Sequence, residues 1–321
     1  MHFRQSRETR MLLSGRNGCQ EGQRLPLIEQ RIATTSLAVQ NHLSMFLRTH
    51  SGPLYYEISG DGPPIVFVSG WAMSCECWRP AVAMLKRTHR CLIYDSRGFG
   101  RSQPCSVSAS FTIEDHAEDL HAILETSGIF DATIVGHEIG SLIAAFDTDR
   151  HPQDTGSLIV VSPRRASLSQ DDVRSLSVFT PASLALRELA AFPLLRNLVA
   201  RRFRRAPQPY RDRLFDDFAD LSPRAAYETA LSASTGDAVS VLDDLIERWA
   251  YPVLFVCGEK DKKGAAEARR LFSLASAGKL ATMRDCGFLP MLEYRRQFVR
   301  LVEDFAASRQ EFSHRRGIVR S

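Results

Sequence analysis

The side chain best placed for chemistry is a glutamate. Gly136-His137-Glu138-Ile139-Gly140 lies between a short apolar run at 133–135 and a helical run at 140–146. A strand that reverses sharply into a helix needs glycine on either side of the turn, where a Cβ would strike neighbouring backbone. The central side chain, Glu138, then projects from the C-terminal edge of the strand at the start of the helix. The partial positive charge and free N–H groups of a helix N-terminus favour an anion there. A carboxylate so placed has three uses. It can attack carbon as a nucleophile, carry a proton as general acid or base, or simply satisfy the N–H groups of its own helix.

Other reactive residue types read more plainly. His137 adjoins Glu138, but its side chain is expected to turn into the sheet as packing. His116 and His121 fall on a helix away from that edge and read as solvent or core residues. Cys75 and Cys77 have no base nearby in sequence, which a thiol nucleophile needs, and read as small apolar residues. The arginines at 196, 201, 202, 204 and 205 suit either an anionic substrate or a solvated helix face.

The elements that must position Glu138 follow from periodicity. Strands are expected at 54–58, 65–68, 91–94, 133–135, 158–161, 253–257 and 281–283, and helices at 78–85, 113–126, 140–146 and 297–307. Strands alternating with helices imply an α/β fold, a mostly parallel sheet flanked by helices. Residues 164–248 lack a strong strand pattern and hold helical segments at 181–191, 194–203, 210–218 and 224–233. They read as a helical cap inserted into a core formed by 45–163 and 249–308. Residues 1–44 read as a disordered extension, or a misassigned start with Met45 opening the folded part, and 309–321 as a tail.

Three motifs in order resemble the α/β-hydrolase superfamily over about residues 52–308. They are Asp95-Ser96-Arg97-Gly98-Phe99-Gly100-Arg101-Ser102 after a strand, the glycine-flanked Glu138 in the place of the nucleophile elbow, and Gly258-Glu259-Lys260-Asp261, similar to the family's acid loop. The resemblance implies an oxyanion hole from the backbone N–H groups of Trp71 and Ile139, with Asp261 as the acid. It also marks two departures. Hydrolytic relatives carry Ser, Cys or Asp where this chain has Glu138, and Phe288 stands where the family's histidine is expected. The extra methylene of Glu carries its carboxylate about 1.5 Å beyond that of Asp. A covalent ester formed on it would lack the base that activates water for its release.

The expectation is therefore a small-molecule enzyme with atypical chemistry (elimination, isomerisation, cyclisation or an unusual hydrolysis) in specialised biosynthesis. Its pocket would be lined by Phe288 and His137, and its substrate largely apolar. The alternative is a hydrolase-like protein that binds a ligand without turnover. No cofactor or metal is expected. A net charge of +4 on 321 residues does not point to nucleic acid, and no apolar run approaches membrane length. Seven scattered cysteines read as free thiols in a cytoplasmic protein, monomeric or a homodimer.

Overall fold

The computed structural model describes residues 42–103, 105–165, 205–208, 210–249 and 251–315. The expected helices at 181–191 and 194–203, and most of the N-terminal extension, lie outside them. Eight strands form one sheet: β1 (His42–Thr49), β2 (Gly52–Ser59), β3 (Pro64–Val68), β4 (Arg90–Tyr94), β5 (Ala132–His137), β6 (Thr155–Val161), β7 (Val253–Gly258) and β8 (Gly278–Met283). Their spatial order is β1-β2-β4-β3-β5-β6-β7-β8. The first two junctions are antiparallel and the rest parallel, so the mostly parallel sheet expected from the sequence is present.

Parallel strands need helical crossovers, and these cover both faces. In chain order the helices are α1 (Arg79–Leu85), α2 (Ile113–Ser127), α3 (Ile139–Arg150), α4 (Tyr210–Ala219), α5 (Pro223–Ala233), α6 (Gly236–Arg248), α7 (Lys262–Leu274), α8 (Pro290–Glu293) and α9 (Arg295–Arg315). Successive strand side chains point to opposite faces. Val66, Val68, Ile134, Leu158, Val160 and Phe255 therefore meet α2, α3, α6 and α7. Ile65, Phe67, Val135, Ile159, Val161 and Val256 meet Trp78, α1 and α9. The residues that make the central strands apolar throughout thus supply two separate cores.

Three boundaries differ from the sequence reading. Residues 42–44, assigned to the extension, belong to β1, where His42, Leu43 and Ser44 pair with Ser59, Ile58 and Glu57. This is an edge strand in which partly buried Met45, Leu47 and Thr49 alternate with exposed Phe46 and Arg48. Helix α6, inside the segment read as a cap, buries Ala238, Leu242, Leu245 and Ile246 in the core beside α3. Helix α9 runs to Arg315, so the tail begins inside a helix. Helices α4 and α5 contact the loop at 71–74, at the C-terminal edge of the sheet. There the Trp71 indole donates to the Ala226 carbonyl (2.9 Å), and Asp217 accepts from the Ser74 amide (3.0 Å) and hydroxyl (2.6 Å).

His116 lies on the buried face of α2, its Nε2 hydrogen-bonded to the Thr229 hydroxyl of α5 at 2.9 Å. Burial, then the nearby Arg97 charge, pushes its pKa down to about 3. An unfolded histidine titrates near ~6.5. Between these values the unfolded chain takes up a proton that the fold refuses. This group's contribution is complete above the unfolded value and lost as pH falls toward the folded one. His116→Gln removes the titration and can keep a hydrogen bond to Thr229. Between pH 7 and pH 4.5 the variant should gain about 2 kcal/mol relative to wild type, read from paired denaturant melts; a difference that does not change with pH would refute the assignment. A chain shortened to start at Met45 loses three outer pairs of β1. It should melt a few degrees below one starting at Gln40, and equal melting would show that the outer half of β1 contributes nothing.

Candidate active site

The elbow is built by backbone packing. Glu138 sits between β5 and α3 at φ 53°, ψ −114°, a conformation that L residues rarely adopt. A Cβ on Gly136 would come within 2.5 Å of the Gly140 carbonyl oxygen, and one on Gly140 would run into the Val68 carbonyl. Both glycines are therefore required by close approach. The Glu138 amide donates to the Val161 carbonyl of β6 at 3.0 Å, and the Ser141 amide donates to the Glu138 carbonyl at 3.0 Å. Both sides of the strained residue are held by the neighbouring elements.

The Glu138 carboxylate is buried, and its Oε2 accepts a hydrogen bond from the Trp71 backbone N–H at 3.3 Å. It makes no side-chain cap on its own helix. The carboxylate therefore lies on one of the two N–H groups expected to form an oxyanion hole. The other, on Ile139, belongs to the first residue of α3, whose N–H has no acceptor within the helix. Gly70 lets the two loops meet, because a Cβ there would stand 2.6 Å from His137 Nδ1 and 3.1 Å from Glu138 Oε2.

Asp261 follows β7 and caps α7, accepting from the Gly264 amide at 3.3 Å. Its carboxylate is held by both terminal nitrogens of Arg164, at 3.0 and 2.8 Å. That guanidinium lies 4.8 Å from the centre of the Phe288 ring. Phe288 in turn meets the His137 ring edge-on at 4.6 Å, and its carbonyl is hydrogen-bonded by His137 Nε2 (3.0 Å) and the Ser162 hydroxyl (3.1 Å). His137 is fully buried here, its ring tied to the Phe288 backbone. Glu138, Trp71, His137, Phe288 and Asp261 thus converge around the C-terminal ends of β3, β5, β6 and β7. Arg164 joins them, and the sequence reading missed it. The signal was present: an acid without its histidine partner, and an arginine three residues beyond the strand that ends at Val161.

Backbone strain gathers around the same place. Among the described residues, five non-glycine residues have a left-handed φ, and Ala72, Glu138, Ser162 and Asp285 border this site. Such conformations cost about 1–3 kcal/mol each and persist where the surroundings impose them. The Phe288 loop is pinned by Glu293, which accepts from the Gly287 and Leu289 amides at 2.6 and 3.1 Å. The Trp71 loop is pinned by Asp95, fully buried, which accepts from the Cys75 amide (2.7 Å) and the Arg101 amide (2.8 Å). Arg97 of the same motif locks onto Asp119 of α2 at 2.5 and 2.6 Å.

The remaining candidates separate from the site. Burial pushes the Cys75 and Cys77 thiols well above the usual range, with the Asp95 charge adding to the shift of Cys75. Neither is a ready nucleophile. Arg205 donates to the Asp285 carbonyl at 2.6 Å, while the other four arginines of that group lie outside the described residues. A cleft of about 250 Å³ lined by Cys77, Tyr210, Leu214 and Asp217 opens nearby, and its walls do not include Glu138, Trp71 or Phe288.

Comparison with known proteins fits this architecture. The chain is 35% identical over 113 residues to RutD of Variovorax paradoxus, a protein whose name assigns it to carbamate hydrolysis. The match covers 34% of this chain and 42% of that protein, so the chain spans less than half of the relative's length. Among solved structures, an esterase from Thermogutta terrifontis superimposes with a TM-score of 0.70 at 19% identity, covering 83% of this chain and 99% of that one. A bromoperoxidase from Bacillus anthracis gives 0.68 at 19% identity, covering 83% and 100%. At such identities the likeness concerns the fold. A family model described as alpha/beta hydrolase fold matches residues 63–293, and the chain belongs to that family.

Proposed function

We propose that this protein is a proton-transferring enzyme of the alpha/beta hydrolase fold, with Glu138 as general acid or base in an elimination, isomerisation or cyclisation. The observation that carries the reading is the hydrogen bond from the Trp71 N–H to the Glu138 carboxylate. Acyl hydrolysis uses such a donor to stabilise the negative oxygen that develops on the substrate. Here a carboxylate lies on it, and a second anion beside it would be repelled. Proton transfer at carbon needs one positioned carrier and a dry, shaped pocket. Phe288 supports such a pocket. The reading takes a small, largely apolar substrate, a cytoplasmic setting and a place in specialised biosynthesis.

A second reading, ligand binding without turnover, is favoured by the bidentate Arg164–Asp261 pair, which holds the retained acid away from proton-relay work. Glu138→Gln separates the two. It preserves shape and the bond from Trp71 but cannot carry the proton. Product formation, followed by mass spectrometry of incubated metabolite extracts, should fall at least about 100-fold. Melting temperature and ligand binding should change little. Near-normal product formation by the variant would remove Glu138 from the chemistry.

The relatives named for ester and carbamate hydrolysis define a further test. The wild-type protein should show no elbow-dependent turnover of p-nitrophenyl acetate and no fluorophosphonate label at position 138. Glu138→Ser combined with Phe288→His should remain inactive while Arg164 holds Asp261, and adding Arg164→Ala should release the acid and raise turnover above background. Ester hydrolysis by the wild type that disappears in Glu138→Gln would overturn the proposal.

A further inference from the structure

At the opposite edge of the sheet from Glu138, three side chains converge that the proposed chemistry does not use. They are His121 of α2, Asp147 near the end of α3, and Asp154 just before β6. One ligand atom from each lies within 4.8 Å of the others. His121 Nδ1 is 2.6 Å from Asp154 Oδ2. Asp147 is fully buried, and neither of its carboxylate oxygens has a hydrogen-bond partner; Asp154 is fully buried too, and its Oδ1 has none. Leaving buried carboxylate oxygens unpartnered is costly, and a lone buried charge costs far more. The charges that act on Asp147 are Asp154 and Glu118, both acidic. His121 and His151 are about one-fifth exposed, which gives the cluster a mouth to solvent, and their rings stack almost parallel at 3.5 Å.

We infer that His121, Asp147 and Asp154 form a binding site for a divalent first-row cation, with zinc the best match. One imidazole nitrogen and two carboxylates make a mixed nitrogen-oxygen donor set of the kind zinc accepts, whereas calcium and magnesium favour oxygen alone. Two carboxylates and a 2+ ion cancel in charge, which removes the burial penalty on Asp147. Binding would replace the hydrogen bond between His121 Nδ1 and Asp154 with bonds to the ion, its proton leaving to solvent, and would tie α2, α3 and the entry of β6 together. The sequence reading expected no metal and took His121 for a solvent or core residue. What it lacked was the approach of α2 and α3 at this edge. The inference is independent of the proposed chemistry at Glu138.

The test uses the full chain, stripped with EDTA and then titrated with ZnCl2. Zinc in excess should raise the melting temperature by about 5 °C, reversibly, with one equivalent retained on elemental analysis. Asp147→Asn and His121→Gln should each lose the shift and the retained metal. Asp147→Asn removes a charge from a buried site, so it should fold, and His121→Gln provides an independent arm at a partly exposed position. No zinc response in the wild type would overturn the inference. So would a shift that survives both substitutions, which would place the metal elsewhere, such as on cysteine. A stripped Asp147→Asn protein more stable than a wild type that ignores zinc would identify Asp147 as a buried neutral acid and equally overturn it.

Discussion

The left-handed backbone at Glu138 is the constraint on which the site depends. A residue at φ 53° persists only where its neighbours leave no alternative, and here three elements do so. Strand β6 takes the Glu138 amide, α3 takes its carbonyl, and β3 presses its own carbonyl against Gly140. Because β3, β5 and β6 are buried and parallel, their C-terminal ends are fixed relative to one another, and the elbow inherits that rigidity. A hydroxyl held this way would be a nucleophile presented to solvent. A carboxylate held this way reaches the N–H of Trp71 instead, and the usual sense of the site is altered by one side chain.

The surrounding changes form a matched set. With Phe288 in the position of the expected histidine, a carboxylate at Asp261 would lack a cation beside it. Arg164 supplies that cation and covers the Phe288 ring with the same guanidinium. Arginine suits this double task because its planar head pairs bidentately and stacks on an aromatic face. The pair satisfies both oxygens of Asp261.

Hydrogen bonds tie the loops above the sheet to the elements around them. Asp95 fixes the turn that carries Cys75, Asp217 of α4 fixes Ser74, and Ala226 of α5 fixes the Trp71 indole. The donor that meets Glu138 is therefore positioned both by the core and by the helices laid over it. A displacement of α5 would be transmitted to Trp71 directly, and one of α4 through Ser74 of the same loop.

Much of this protein was legible without coordinates. Short apolar runs, amphipathic helices and glycine-flanked turns are local properties, so the core strands, the elbow at Glu138 and the Asp95 and Asp261 loops could be read directly. The edge strand β1 was missed because Phe46, apolar yet exposed, blurs the alternation set by Met45, Leu47 and Thr49. Helices α6 and α7 were missed although their amphipathic stripes are as local a signal as that of α2. Arg164, the turn of the Glu138 carboxylate onto Trp71, and the meeting of His121 with Asp147 and Asp154 were decided by tertiary structure alone. Each joins residues brought together by crossovers whose geometry no local spacing records. The sequence by itself determined which residue types stand at the ends of the strands; the packing of parallel strands and their helices decided which of those residues meet.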